Sequence, residues 1–227
     1  MSADSDFLAL LTEEHRAFEA AATALWRRAK ASGRAEDFEP LRILCDDFLI
    51  GYHDEREERE IHPRLRGLPR LREGGPACTL HFDRFMNARP LNRAARVCAR
   101  QGVAFPDPLW SVDASADIQA GSPLAIPGED HEATRVLLRA IASQDLPDNA
   151  EGFSTRLALF AELIELRIDH HQREDTCFFP MCRSLVDPQT WREIGARDGD
   201  WCPPRDLPGV IQAITTLASV GWTRVAE

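Results

Sequence analysis

The chain has 227 residues, 44% of them hydrophobic, and a formal net charge of −10. That length buries a useful core as one large domain or two small ones, while the acidic balance excludes nucleic acid and anionic membrane as partners, because both reward clustered positive charge. No run approaches the roughly 20 apolar residues of a spanning helix, and residues 1–6 lack the basic and apolar regions of a signal peptide, so a cytoplasmic protein is expected. A single tyrosine, Tyr52, few β-branched runs and long stretches rich in Ala, Leu, Arg and Glu indicate an all-α chain.

The first helix is expected from Phe7 to Ala29, where Phe7, Leu8, Leu11, Phe18, Ala22 and Leu25 recur at helical separations. Asp4 or Ser5 would cap it, Gly33 would end it, and His15 falls on its apolar face. A second helix is expected from about Asp37 to Ile61, with Leu49, His53 and Glu57 in line at intervals of four and Pro63 as its terminator. Between Arg64 and Gly128 comes an insertion: a helix over Cys78 to Gln101, then a Pro/Gly/Ser-rich loop from Gly102 to Gly128 that contains Trp110. A third helix starts near Pro127, carries His131, Thr134, Leu138 and Ile141 inward, and stops by Pro147. The fourth runs from about Gly152 to Phe179, with Leu159, Leu163, Leu166, His170 and Glu174 on one stripe and Pro180 closing it. Beyond Asp187 a short helix over Thr190 to Gly195, a turn-rich run and a last helix of about Gly209 to Val220 form an extension.

The phrase His-x-x-x-Glu followed by proline occurs twice in near-constant register. His53 and His170, Glu57 and Glu174, and Pro63 and Pro180 are each 117 residues apart, and His15 and His131 are 116 apart. Glu14-His15-Arg16-Ala17 echoes Asp130-His131-Glu132-Ala133. A histidine helix followed by a His-x-x-x-Glu helix has been laid down twice, and two such hairpins packed face to face make a four-helix bundle. The expected layout is one domain over 1–227, with the bundle from 5–63 and 124–186, an insertion over 64–123 and an extension over 187–227.

Four histidines and two glutamates converging in a bundle core would be untenable without metal, since buried charge must be compensated. Six ligands are too many for one tetrahedral zinc, and two carboxylates able to bridge with four imidazoles suit a pair of first-row ions, iron or manganese before zinc. The six cysteines, Cys45, Cys78, Cys98, Cys177, Cys182 and Cys202, show no metal or redox spacing. They are expected as free thiols, with Cys177 packing in the core.

With these residues in place, the chain resembles the hemerythrin-like (HHE cation-binding) family over about Phe7–Pro63 and Pro127–Pro180. The resemblance implies an up-down-up-down bundle and a non-haem di-iron centre with an oxo or hydroxo bridge. Carried over by position, its ligands are His15, His53, Glu57, His131, His170 and Glu174. The oxygen-carrying hemerythrins have a further histidine four residues along the third helix, where this chain has Arg135. The six-ligand set is more similar to iron-centre repair proteins and oxygen- or nitric-oxide-responsive members.

Around that set, Glu58 and Asp175 lie about 100° from the ligand glutamates and are read as supporting or solvated groups. His62 and His171 break the four-residue stripe and are left out. His81 in the insertion is either a further ligand or proton-handling group, or a surface histidine. Tyr52, beside His53, is either a hydrogen-bond donor to a bound oxygen species or an ordinary interior tyrosine. The expected function is capture or sensing of O2, peroxide or nitric oxide, or handling of labile iron. The rival is a di-iron oxidase or oxygenase that holds a small substrate under the insertion, with Phe105, Trp110 and His81 around it.

Overall fold

The computed structural model describes residues 6–73, 89–119 and 122–197. Every regular element among the described residues is helical, and seven helices carry the fold. α1 spans Phe7–Ser32. Its cap is Asp6 rather than Asp4 or Ser5: the carboxylate accepts from the Ala9 amide at 2.8 Å, satisfying one of the free N–H groups of the first turn. Gly33 ends it at φ 66°, a left-handed conformation that glycine adopts without a side-chain clash.

α2 begins as Glu39–Ile43, becomes π-helical over Leu44–Asp54 and Glu57–Ile61, and finishes as α-helical His62–Leu65. Pro63 therefore does not end the helix as its sequence position suggests. In a π turn the backbone closes on the fifth residue, the turn widens, and a proline placed just after it sits in the first turn of a fresh α segment. The same correction applies to Pro180. α6 runs as Ala150–Arg173, a π-helical Glu174–Phe178 and an α-helical Phe179–Leu185, again passing straight through the proline.

In the insertion, α3 covers Pro90–Arg100; the earlier part of the helix expected from Cys78, with His81, lies outside the described residues. The stretch expected as a loop from Gly102 to Gly128 contains a helix, α4, at Val112–Gln119. Ser111 starts it by accepting the Ala114 amide at 3.1 Å, and Arg66 holds it through Asp113 and Asp117. The surrounding Pro, Gly and Ser content hides it in the sequence. α5 spans Ala125–Ile141 and α7 spans Pro188–Ala196. The expected Gly209–Val220 helix is also outside the described residues.

α1 packs on α2 and α6, and α5 packs on α2 and α6, so these four helices meet in a ring; α3 lies against α5 and α6, and α7 against α1. Two apolar clusters fill the ring. One is built on Phe18, Leu41, Leu49, Leu137, Phe160 and Leu163, the other on Phe7, Leu11, Ile61, Phe178, Phe179 and Trp191. Along α1 the first cluster includes Phe18 and the second Leu11, and His15 falls between them. His53 and Glu57 fall likewise between Tyr52 and Ile61, and His170 and Glu174 between Leu166 and Phe178. A layer of ionisable residues is thus enclosed between two oily ones, where low dielectric raises the energy of any unpaired charge.

Candidate metal centre

His15, His53, His131 and His170 are each at most 1% exposed, as are Glu57 and Glu174. Spacing of four on α2 and α6 places His53 Nε2 3.5 Å from Glu57 Oε1 and His170 Nε2 3.1 Å from Glu174 Oε2. α1 brings His15 Nε2 to 3.3 Å from Glu174 Oε2, and α5 brings His131 Nε2 to 3.3 Å from Glu57 Oε2. Each hairpin's glutamate therefore meets the lone histidine of the other hairpin. The two ends share both carboxylates: His15 and His53 converge with Glu57 and Glu174 at one, and His131 and His170 converge with the same pair at the other, all ligand atoms of a group lying within 4.8 Å.

The four rings are aimed by a second set of carboxylates. Glu14 accepts from His53 Nδ1 at 2.8 Å, and Asp130 from His170 Nδ1 at 3.2 Å. Glu58 accepts from His131 Nδ1 at 2.9 Å and Asp175 from His15 Nδ1 at 3.0 Å. A pattern emerges: the acid before each lone histidine holds the His-x-x-x-Glu histidine of its own hairpin, and the acid after each glutamate holds the lone histidine of the other hairpin. Arg56 pairs with Glu14, Arg173 with Asp130 and Arg135 with Glu58. Occupying Nδ1 in this way turns every Nε2 inward, the arrangement by which carboxylates orient histidine ligands.

Burial opposes protonation of His15, but Asp175, Glu174 and Glu57 outweigh it and raise its pKa to about 9. At the other end burial is outweighed by Asp54, Glu57 and Glu58, which raise His131 to about 10. Burial pushes His53 and His170 well below the ordinary histidine value, with neighbouring cations adding to the effect. The surroundings thus favour the protonated form of His15 and His131 and the neutral form of His53 and His170.

Even so, neither oxygen of Glu57 or of Glu174 completes a hydrogen bond, nor do His131 Nε2 and His170 Nε2. Four carboxylate oxygens without hydrogen bonds in a dry layer are costly unless a cation takes the place of water. The donor set, two imidazoles and two shared carboxylates per end with no thiolate, fits metal ions. The buried histidines and glutamates can hold one.

Two histidines omitted from the sequence-based set are buried against this centre. His171 stacks on His15 with ring centroids 4.0 Å apart, and its Nδ1 bonds to Glu19 at 2.9 Å. His62 stacks on His131 at 6.2 Å. The π turn explains the second case: the His62 amide bonds to the Glu57 carbonyl, five residues back, so His62 returns to the face that a four-residue stripe denies it. For Glu14 and Asp130 the signal was the repeated acid before histidine. The Tyr52 ring lies against the Arg56 guanidinium, 3.8 Å from its centroid.

The two halves also differ. At the position after the histidine of His-x-x-x-Glu, the first hairpin has Asp54 and the second His171. Asp54 pairs with Arg167 at 2.8 Å, both fully buried, and Arg167 also approaches His171 Nε2 at 3.3 Å. Of the cysteines, Cys45, Cys98 and Cys182 are free and buried, as expected. Cys177 is buried, as expected, but disulfide-bonded and not a free thiol, a pairing that irregular sequence separations do not reveal.

No helix among the described residues is long and apolar enough to cross a membrane. Compared with protein-family models, with curated proteins and with solved structures, the chain gives no match.

Proposed function

We propose that this chain is a hemerythrin-like di-iron protein, its α1, α2, α5 and α6 forming the four-helix bundle, and that it binds or responds to O2, peroxide or nitric oxide. One observation carries the reading: both oxygens of Glu57 and of Glu174 lie buried without hydrogen bonds, between imidazoles from all four helices. Mixed nitrogen and oxygen donors favour iron or manganese over a thiolate-preferring ion. Iron held there would supply one-electron chemistry and coordination positions not filled by protein.

The chain's own residues set the terms. Glu14, Glu58, Asp130 and Asp175 fix ring orientation, and the apolar clusters on either side exclude bulk water. His15 and His131 hold protons that a bound cation displaces. Burial of all six residues favours a retained pair of ions over delivery of labile iron.

The oxidase reading gains less support. Arg139 donates to the Asp107 carbonyl and the Leu109 amide to Glu132, on a face of α5 turned about 100° from His131. Phe105 packs on the apolar cluster. These contacts tie the described stretch to the flank of α5.

The test is anaerobic purification, metal analysis and a visible spectrum before and after admitting air and nitric oxide. Two irons per chain with bands that change on exposure support the proposal. Zinc, or iron well below two per chain with a featureless spectrum, would sink it.

A further inference from the structure

The two ends of the ionisable layer are walled by different rings. Phe179 follows Glu174 by five residues and stacks on His15, with centroids 5.5 Å apart and planes 17° apart. His62 follows Glu57 by five residues and stacks on His131, with centroids 6.2 Å and planes 10° apart. The positions correspond in the repeat, so one hairpin supplies a phenyl where the other supplies an imidazole.

His62 is 6% exposed, and no hydrogen bond reaches its Nε2. Its other ring neighbour is Phe178, edge-on at 6.2 Å. An unpartnered polar atom in an apolar wall costs on the order of 1–3 kcal/mol, a cost the phenyl at the other end avoids. His62 is not among the residues whose ligand atoms converge on Glu57 and Glu174. Its ring lies alongside that of His131, which is among them.

We propose that His62 is the hydrogen-bond donor to a small ligand of the nitric oxide, O2 or azide class held at the His131–His170 end of the centre. At the His15–His53 end the corresponding ring is the phenyl of Phe179, and both nitrogens of the His171 ring there are already engaged, Nδ1 by Glu19 and Nε2 by Arg167. The inference rests on the metal-centre reading and adds to it which end takes the ligand and which residue recognises it. An imidazole N–H can donate to the outer atom of such a ligand; a phenyl cannot. The unpartnered nitrogen and the departure from the repeat then have one cause.

The test compares the iron-loaded, full-length wild type with H62F, which installs the ring that the second hairpin carries. Iron content and thermal stability are measured first, then release of nitric oxide from the ferrous protein, and the infrared N–O stretch in H2O and D2O. The expected H62F protein keeps two irons and at least wild-type stability, releases nitric oxide about tenfold faster, as loss of one hydrogen bond predicts, and loses the isotope shift. Phe179→Leu, at the other end, should change neither release nor shift.

Wild-type release and isotope shift in H62F overturn the proposal. If H62F loses iron, H62Q decides: its amide restores a donor, so a wild-type isotope shift supports the assignment and a missing one overturns it. A loaded wild type whose nitric oxide complex shows no isotope shift overturns this inference alone, whereas a wild type that retains no iron overturns the metal-centre reading with it.

Discussion

Asp175 on α6 accepts the Nδ1 hydrogen of His15 on α1 at 3.0 Å, and Thr12 donates to the same Asp175 oxygen at 2.9 Å. A carboxylate from the end of the second hairpin thereby sets the ring of the first histidine in the chain. Asp175→Asn removes the charge that orients His15 and supports its basicity. Metal affinity should fall about tenfold to a hundredfold, read by competition with a chromophoric chelator. Asp175 is partly exposed, so the fold should survive. Unchanged affinity would mean that Nδ1 anchoring is incidental.

Glu57 and Glu174 each serve both ends, so neutralising either should weaken both ion positions. At a free metal concentration a hundred times the dissociation constant, one filled site adds about 2.7 kcal/mol to stability. For a domain of this size that is a rise of roughly 5–10 °C in unfolding temperature. In Glu57→Gln and Glu174→Gln the rise on adding Mn2+ or Zn2+ should shrink by more than half, measured by calorimetry with and without metal. An equal rise in variant and wild type would place the ions elsewhere.

The histidines titrate in opposite directions, which gives the metal-free protein two pH limits. His15 and His131 have folded pKa values of about 9 and about 10, above the ordinary 6.5. Their stabilising contribution is complete below pH 6.5 and disappears as pH rises through 9 to 10. Burial depresses His62 to about 4, so it contributes above pH 6.5 and its contribution is lost as pH falls toward 4. Urea midpoints of metal-free protein should therefore decline on both sides. Because a bound cation displaces the His15 and His131 protons, metal affinity should rise with pH by about tenfold per unit for each proton released. The rise should level off above pH 10.

Arg167 and Asp54 form an ion pair in which both side chains are fully buried. Arg167→Met leaves the buried Asp54 carboxylate without its guanidinium, with only His131 Nε2 3.8 Å away, and should destabilise the protein by about 3–5 kcal/mol. The double variant Arg167→Met with Asp54→Asn removes the stranded charge and should recover a large part of that loss. Denaturant melts of the two proteins make the comparison. Equal melts would show that the second substitution relieves nothing.

Much of this layout was legible before any coordinate. A fourfold spacing of His and Glu on a helix puts both on one face whether the turn is ideal or slightly widened, so the six converging residues could be picked from the repeat. The π segments could not. They carry the helices past Pro63 and Pro180, and they return His62 to the face of Glu57, because each depends on backbone closure that no residue type announces. His171 was invisible for a different reason: adjacent residues on a helix point about 100° apart, yet the side chain reaches back to lie flat on His15. The second tier of acids was half visible. Glu58 and Asp175 were already placed beside the two glutamates of the repeat, while Glu14 and Asp130 had been seen only as a repeated phrase. α4 was concealed by its Pro, Gly and Ser neighbours.

The exchange of Asp54 for His171 makes the two hairpins complementary halves, not copies. Arg167, which neutralises Asp54, has Ile50 as its counterpart in the first hairpin. A protein assembled from two first hairpins would bury two Asp54 side chains against isoleucine, with no guanidinium between them. One assembled from two second hairpins would bury two Arg167 side chains with no aspartate to receive them. Self-pairing fails on charge in either direction, so the heterologous pair of halves within one chain is the combination whose core is electrically balanced, and the duplication can no longer be undone into a symmetric dimer.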